Sequence, residues 1–112
     1  MPAPNQTDHD ARALPELGRL LVALDELGGE VDAELMDDRL TFEFADGAEG
    51  LINSHRAARQ IWLAWERTAW HFAWDGVAGR WLGTKTGEEL WSVLERILSA
   101  KLGRTVRLQR PG

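Results

Sequence analysis

The stretch that decides the fold is EVDAELMDDRLTFEFADG, which spans residues 30–47. It contains two runs in which apolar and polar side chains alternate, residues 30–35 and residues 40–44. Strict alternation is typical of a β-strand with one buried face and one solvated face. Asp37-Asp38 separates the two runs and is compatible with a tight hairpin. Asp46-Gly47 then marks a second turn, so the pattern predicts consecutive antiparallel strands.

Four more strands are predicted on the C-terminal side of this stretch, which makes about six in all. They are expected at Glu49 to Asn53, Gln60 to Trp65, Ala69 to Trp74 and, as a short strand, around Arg80 to Leu82. Strands that follow one another through short turns pair with their neighbours in an antiparallel sheet.

A helix is predicted on each side of the strands. The first is expected to begin at Pro15, because the first helical position does not need the N–H that proline lacks. It carries a stripe of leucines at helical spacing, at Leu17, Leu20, Leu21, Leu24 and Leu27. Gly28-Gly29 ends this helix. The second helix is expected to open at a capping box of Thr86 and Glu89 and to end at Gly103.

The predicted order of elements is therefore helix, about six strands, helix. Each helix has one apolar face, and the sheet has one apolar face that needs cover. The sequence predicts an α+β fold, a two-layer α-β sandwich in which the N- and C-terminal helices pack on one face of an antiparallel sheet of about six strands. We expect residues 1–14 to form a disordered N-terminal lead and residues 15–110 to form a single domain.

Composition narrows the class of function. The chain has 112 residues, 44% of them hydrophobic, and no cysteine. The absence of cysteine excludes disulfides, zinc–thiolate sites and thiol nucleophiles. No apolar run approaches the roughly 20 residues that span a bilayer, and the polar N-terminus resembles neither a secretory signal nor a transit peptide. The expected location is the cytoplasm of a bacterium.

The net charge of −5 hides a division along the chain. Residues 1–53 contain 13 acidic and 3 basic residues, a net charge of −10, whereas residues 54–112 contain 5 acidic and 10 basic residues, a net charge of +5. An acidic surface favours cations or basic partners and disfavours nucleic acid. The alternative interpretation is that the acidic surface serves only solubility.

Three carboxylates, Glu30, Asp32 and Glu34, are predicted on the solvated face of the first strand. Alternate strand positions lie about 6.6–6.8 Å apart, which is too wide for a closed cage around one ion but suits a strip of oxygen ligands completed by water. Asp25 and Glu26 extend the strip from the end of the first helix. Oxygen donors favour hard ions such as Fe²⁺, Fe³⁺, Mn²⁺ and Ca²⁺. The alternative is that these charges protect an edge strand from aggregation.

A second candidate surface is neutral. In the run Gln60-Ile61-Trp62-Leu63 the two aliphatic residues are expected to face the helices, which turns Trp62 outward beside Gln60. Asn53 and His71 are expected on the same outer face of neighbouring strands. An exposed tryptophan among polar side chains suits a contact anchor for a protein partner. The alternative is that a neighbouring loop shields it.

No constellation of residues suggests catalysis. The three histidines have no metal-ligand spacing, and the sequence contains neither a glycine-rich phosphate loop nor a nucleophile elbow. The sequence therefore favours a binding protein over an enzyme, with no organic cofactor.

Several motifs, taken in chain order, resemble the frataxin family in its bacterial form. They are EVDAE (residues 30–34), LTFEFADG (40–47), IN with QIWLA (52–53 and 60–64), HF (71–72), and TGE and LW ahead of the last helix (86–88 and 90–91). The pair IN and QIWLA is the most specific signal. The resemblance covers nearly all of residues 17–108.

The resemblance implies the same sandwich fold and adds an ion and a partner. It implies weak binding of iron, Fe²⁺ or Fe³⁺, along an acidic ridge formed by Asp25, Glu26, Glu30, Asp32 and Glu34. It also implies a regulatory, non-enzymatic role in iron–sulfur cluster assembly, in which the chain docks on the cysteine desulfurase and the scaffold protein. By position, the partner-facing residues are Asn53, Gln60, Trp62 and His71.

Two alternatives to this function stay open. In the first, the acidic ridge serves partner docking and iron binding is incidental. In the second, the protein is a weak ferroxidase or an iron-storage assembly, which would need a compact di-iron ligand set that the sequence does not display. We expect a monomer, or an oligomer that forms with iron, and no contact with nucleic acid or membrane.

Overall fold

The structure is a computed structural model that describes residues 4–110, with side chains from Asp8 onward. Its elements are, in chain order, helix α1 (Pro4–Asp25), a 3-10 turn (Gly28–Glu30), strands β1 (Val31–Met36), β2 (Arg39–Phe44), β3 (Glu49–His55), β4 (Gln60–Trp65), β5 (Thr68–Asp75) and β6 (Arg80–Gly83), and helix α2 (Leu90–Leu102).

The six strands form one sheet in the order β1-β2-β3-β4-β5-β6, and every neighbouring pair is antiparallel. Each strand pairs with the next one in the chain, because turns of a few residues can join only antiparallel neighbours. The edges of this sheet are therefore β1 and β6. Helix α1 packs across β1 to β4, and α2 packs against β6. The predicted two-layer α-β sandwich is confirmed.

The core lies between the inner face of the sheet and the helices. From the predicted leucine stripe, α1 buries Leu17, Leu20 and Leu24 completely. The largest fully buried side chains of the sheet and of α2 are Phe42, Phe72, Trp81 and Trp91. Within the described part of the chain, neither helix is both long and apolar enough to cross a membrane.

Helix α1 begins earlier than the sequence predicts. Residues 4–14, for which the sequence predicts disorder, continue the helix, and Pro15 lies inside it rather than at its start. This early part is held by Ala13, which has no exposed surface, and by His9, whose Nε2 lies 2.7 Å from Ser54 Oγ. Alanine and histidine carry little hydrophobic signal, so the periodicity fades before the helix does. The predicted disordered lead is wrong for residues 4–14, and its first three residues lie outside the described part.

Helix α2 is capped by a different residue from the one predicted. The carboxylate of Glu89 is the N-cap and accepts hydrogen bonds from the backbone N–H groups of Trp91 and Ser92 at 2.8 and 3.2 Å. Thr86 Oγ1 instead accepts the N–H of Glu88 at 3.1 Å, inside the preceding turn. A carboxylate suits this place because the helix N-terminus carries partial positive charge. The predicted capping box is wrong.

The tail after α2, residues 105–108, lies back along that helix. The N–H of Val106 donates to Ser99 Oγ at 2.8 Å, and the N–H of Leu108 donates to the carboxylate of Glu95 at 2.7 Å. The side chains of Val106 and Leu108 are buried. The side-chain oxygens of Ser99 and Glu95 thus accept backbone hydrogen bonds that a neighbouring strand would otherwise accept.

One glycine in the sheet makes room for an aromatic cluster. Gly50 lies between Phe42 and Trp65 in the strand register, and a Cβ at this position would overlap the ring of Phe42. That ring has no exposed surface and packs against Phe44 and Trp65, with centroids 6.1 and 6.0 Å away. Because the ring is enclosed, it has little room to yield.

We expect Gly50→Ala to lower the free energy of unfolding by about 1–3 kcal/mol, the usual cost of overpacking a core. Chemical denaturation of the variant and of the parent measures the difference. Gly29→Ala is the matched control, because nothing lies within 4 Å of the Cβ it would add. Equal stability of the Gly50 variant and the control would contradict this account of the cluster.

The buried imidazole of His9 links stability to pH. Burial lowers the pKa of His9 below its ordinary value, the nearby guanidinium groups of Arg56, Arg12 and Arg59 lower the pKa further, and the carboxylate of Asp10 opposes the shift. Below pH 6.5, the ordinary value, the unfolded chain binds a proton that the folded chain takes up only at lower pH. The stability from neutral His9 is therefore complete above this pH and is lost as the pH falls toward the folded-state pKa.

We expect the free energy of unfolding to decrease between pH 7 and pH 5, and we expect His9→Gln to show a smaller decrease over the same range. The glutamine keeps a group that can hydrogen-bond to Ser54 but does not titrate. Urea denaturation of both proteins at half-unit pH steps gives the two slopes. If the slopes are the same, His9 is not the group responsible.

Candidate functional site

The outer face of the sheet, opposite the helices, carries a row of carboxylates across three strands. Asp32 on β1 is directly opposite Glu43 on β2, and Glu43 is directly opposite Glu49 on β3. All three side chains are exposed. We call these three residues the acidic row. Like charges placed directly opposite each other in a sheet repel. A cation or a basic partner bound at the row would reduce this repulsion.

Glu34 lies two residues beyond Asp32 on β1 and faces outward, as predicted, opposite Thr41. The described residues offer neither Asp32 nor Glu34 an ion-pair partner. These two positions therefore form the part of the predicted strip that the structure leaves open to solvent.

Glu30 lies in a different place from the one predicted. It ends the 3-10 turn before β1, so it does not share the strand face of Asp32 and Glu34. Its carboxylate accepts a hydrogen bond from Arg104 at 2.5 Å, and it lines a cavity of about 260 Å³ with Lys101 of α2. Arg104, which follows α2, holds this carboxylate away from the outer face, an effect that the local alternation could not reveal.

Asp25 and Glu26 are exposed at the C-terminal end of α1, as predicted. They belong to the helix layer, whereas the acidic row belongs to the sheet. Within residues 8–110, no group of three or more histidine or carboxylate side chains is placed to hold one metal ion. The predicted ridge is thus a set of separate carboxylates, and its residues stay predictions as metal ligands.

The four predicted partner-facing residues come together on the outer face of β3, β4 and β5. Asn53 is directly opposite Trp62, and Trp62 is directly opposite His71. The indole Nε1–H of Trp62 donates to Gln60 Oε1 at 2.7 Å. All four side chains are half-buried. With His55 they form what we call the aromatic patch.

The histidines stack on the indole. The ring of His71 lies parallel to that of Trp62, with centroids 4.2 Å apart and planes at 13°, and the ring of His55 lies on Trp62 at 3.9 Å and 15°. A side cavity of about 280 Å³ opens next to the patch and is lined by His71, Trp70 and Lys85. The patch therefore combines a rigid aromatic surface with a recess at its border.

Sequence reasoning missed three residues of this face. The sequence contains a signal for Glu43 and Glu49, because the alternation around Leu40 and Phe42 turns Glu43 outward and the hairpin register then places Glu49 opposite it. It contains no such signal for His55, because β3 runs two residues beyond its predicted end at Asn53. Where a strand ends is the least certain part of any reading of periodicity.

A family of protein domains and the individual relatives of this chain lead to the same assignment. The family of frataxin-like domains matches residues 5–104. A relative from Thioalkalivibrio sulfidiphilus, named iron-sulfur cluster assembly protein CyaY, is 39% identical over 100 residues, which cover 89% of this chain and 92% of the relative. A relative of the same name from Ralstonia nicotianae is 36% identical over 103 residues, 88% of this chain and 89% of the relative.

A solved structure supports the fold independently. Frataxin from Psychromonas ingrahamii superposes with a TM-score of 0.83 at 23% identity, over 92% of this chain and 96% of that one. The relatives are named as iron-sulfur cluster assembly proteins. The resemblance found in the motifs is thereby confirmed, and the chain belongs to the family of frataxin-like domains.

Proposed function

We propose that this chain is a non-enzymatic accessory protein of iron–sulfur cluster assembly in the bacterial cytoplasm. It holds iron weakly, as cargo, on its carboxylates and docks on the cysteine desulfurase and scaffold protein. The name shared by the curated relatives supplies the process. The observation that carries the proposal is that one face of the sheet presents both unpaired carboxylates and an ordered aromatic patch.

The acidic row suits a hard, oxygen-preferring cation. Directly opposite residues have Cβ atoms about 4.5–5.5 Å apart, closer than the alternate positions along one strand. Carboxylates of Asp32 and Glu43, or of Glu43 and Glu49, are thus better placed to share one ion than Asp32 and Glu34 are. Because no three carboxylates or histidines close on one point within the described residues, water would complete the shell. Weak affinity, roughly 10⁻⁵ to 10⁻³ M, is expected by comparison with loose calcium sites.

The aromatic patch suits a protein partner. Interface centres are rich in tryptophan and poor in charge, and this patch consists of one indole, two imidazoles and two amides. Its polar atoms are partly satisfied within the patch, since the indole N–H already has Gln60 as acceptor. Covering it would therefore cost little in lost hydrogen bonds to water.

A second function is favoured by one observation. Glu30 pairs with Arg104, so one predicted iron ligand is engaged with a cation of the chain itself. In this second reading the exposed carboxylates dock on a basic partner surface and iron is incidental. The desulfurase, rather than the ion, is then the primary ligand of the acidic surface.

We expect Fe²⁺, added without oxygen, or Mn²⁺ to broaden the amide signals of residues 25–34 first in NMR spectra of labelled protein. Broadening should include Glu43 and Glu49, and the double variant Asp32→Asn/Glu43→Gln should weaken it several-fold. Asp8→Asn is the matched control, since Asp8 is an exposed carboxylate near the other end of α1. Broadening confined to other residues, or none at millimolar ion, would reject the iron-binding half of the proposal.

We expect the triple variant Glu30→Lys/Asp32→Lys/Glu34→Lys to lose binding to the desulfurase under strict chelation, if the acidic surface docks on the enzyme. Surface plasmon resonance with and without chelator measures this loss. The double variant Asp32→Lys/Glu34→Lys keeps the ion pair between Glu30 and Arg104. It is the control that separates the effect of reversing the surface charge from the effect of breaking that pair. Unchanged binding of both variants would exclude docking through this surface, whereas a loss seen only with iron present would assign the surface to the ion.

A further inference from the structure

His55 is the last residue of β3 and directly faces Gln60 on β4. Its imidazole lies on one face of the Trp62 indole, and the imidazole of His71 from β5 lies on the other. The indole of Trp62 is thus covered on both faces by side chains of the two flanking strands. Nothing in the sequence pattern around His55 indicates this contact.

The stack fixes how the indole is presented. Trp62 lies on β4, between β3, which carries His55, and β5, which carries His71; neighbouring strands lie about 4.7–4.9 Å apart, and the ring centroids are separated by 3.9 and 4.2 Å. The line through the three rings therefore runs across the strands, and the ring planes stand up from the sheet. The rim of the indole points to solvent, and its faces do not.

Two hydrogen bonds hold this arrangement, one to the imidazole of His55 and one from the indole of Trp62. The backbone N–H of Ala58 donates to His55 Nδ1 at 3.3 Å, which ties the imidazole to the turn between β3 and β4. The Nε1–H of Trp62 donates to Gln60 Oε1 at 2.7 Å. The turn thus orients His55, and His55 together with Gln60 orients Trp62.

We propose that His55 is a positioning residue of the docking surface, which holds Trp62 on edge so that a partner meets the rim of the indole and not its face. The inference rests on the proposed docking function. The rim of an aromatic ring carries the positive part of its quadrupole and the face the negative part. A carbonyl or carboxylate oxygen of the partner therefore suits Trp62, whereas a lysine or arginine over the ring would first have to displace an imidazole.

The test compares four proteins, namely the parent, His55→Ala, His55→Phe and Trp62→Ala. Their affinities for the purified desulfurase–scaffold complex are measured by titration calorimetry, and the ring protons of His71 are observed by NMR. His55→Ala should weaken binding about two- to tenfold, the range expected for loss of one aromatic pair, and should move the ring-current-shifted signals of His71. His55→Phe keeps a ring on the indole and should restore both affinity and shifts to near the parent. His55→Gln replaces His55→Ala if the alanine variant does not fold.

The possible outcomes separate this inference from the docking proposal. If Trp62→Ala binds as tightly as the parent, the docking role of the patch fails and the role of His55 fails with it. If Trp62→Ala weakens binding while His55→Ala does not, only the positioning role is overturned. If His55→Phe keeps the parent shifts of His71 yet binds as weakly as His55→Ala, the stack is intact and the histidine acts through its own nitrogen atoms on the partner, which also contradicts a positioning role.

Discussion

The pleat of the sheet ties each side chain of the outer face to neighbours buried on the inner face. Along β3 the chain alternates Ile52 and Ser54 inward with Asn53 and His55 outward. Ile52 is fixed by the core, and Ser54 by its hydrogen bond to His9 of α1. A shift of the register by one residue would exchange the two faces. The helices thus determine which residues a partner or an ion can reach, although they do not touch the outer face.

The alternation of inner and outer side chains along each strand also explains which positions the sequence predicts correctly. Alternation around Phe42 and Ile61 predicts which residues face the helices, and hence that Asp32 and Trp62 face out. The structure agrees at each of these positions. These predictions succeed because a period of two residues is a local property of the chain.

Two of the sequence predictions fail because of a contact between distant parts of the chain. The early part of α1 depends on His9 meeting a serine 45 residues away, and Glu30 leaves the strand face for an arginine 74 residues away. Hydrophobic periodicity describes neighbours along the chain and carries no information about such distant pairs. The sequence pattern therefore lacks the identity of the contact partners, not the secondary-structure preference of each residue.

The tail after α2 has a practical consequence for attaching the protein to a surface or to a fusion partner. Because residues 105–108 lie back along α2, and Arg110 reaches the carboxylate of Glu89 at the start of that helix, the C-terminal end of the described chain emerges from the helix layer. A tether joined there leaves the sheet facing the medium. Immobilisation through this end would thus present the acidic row and the aromatic patch to a partner in solution without blocking either.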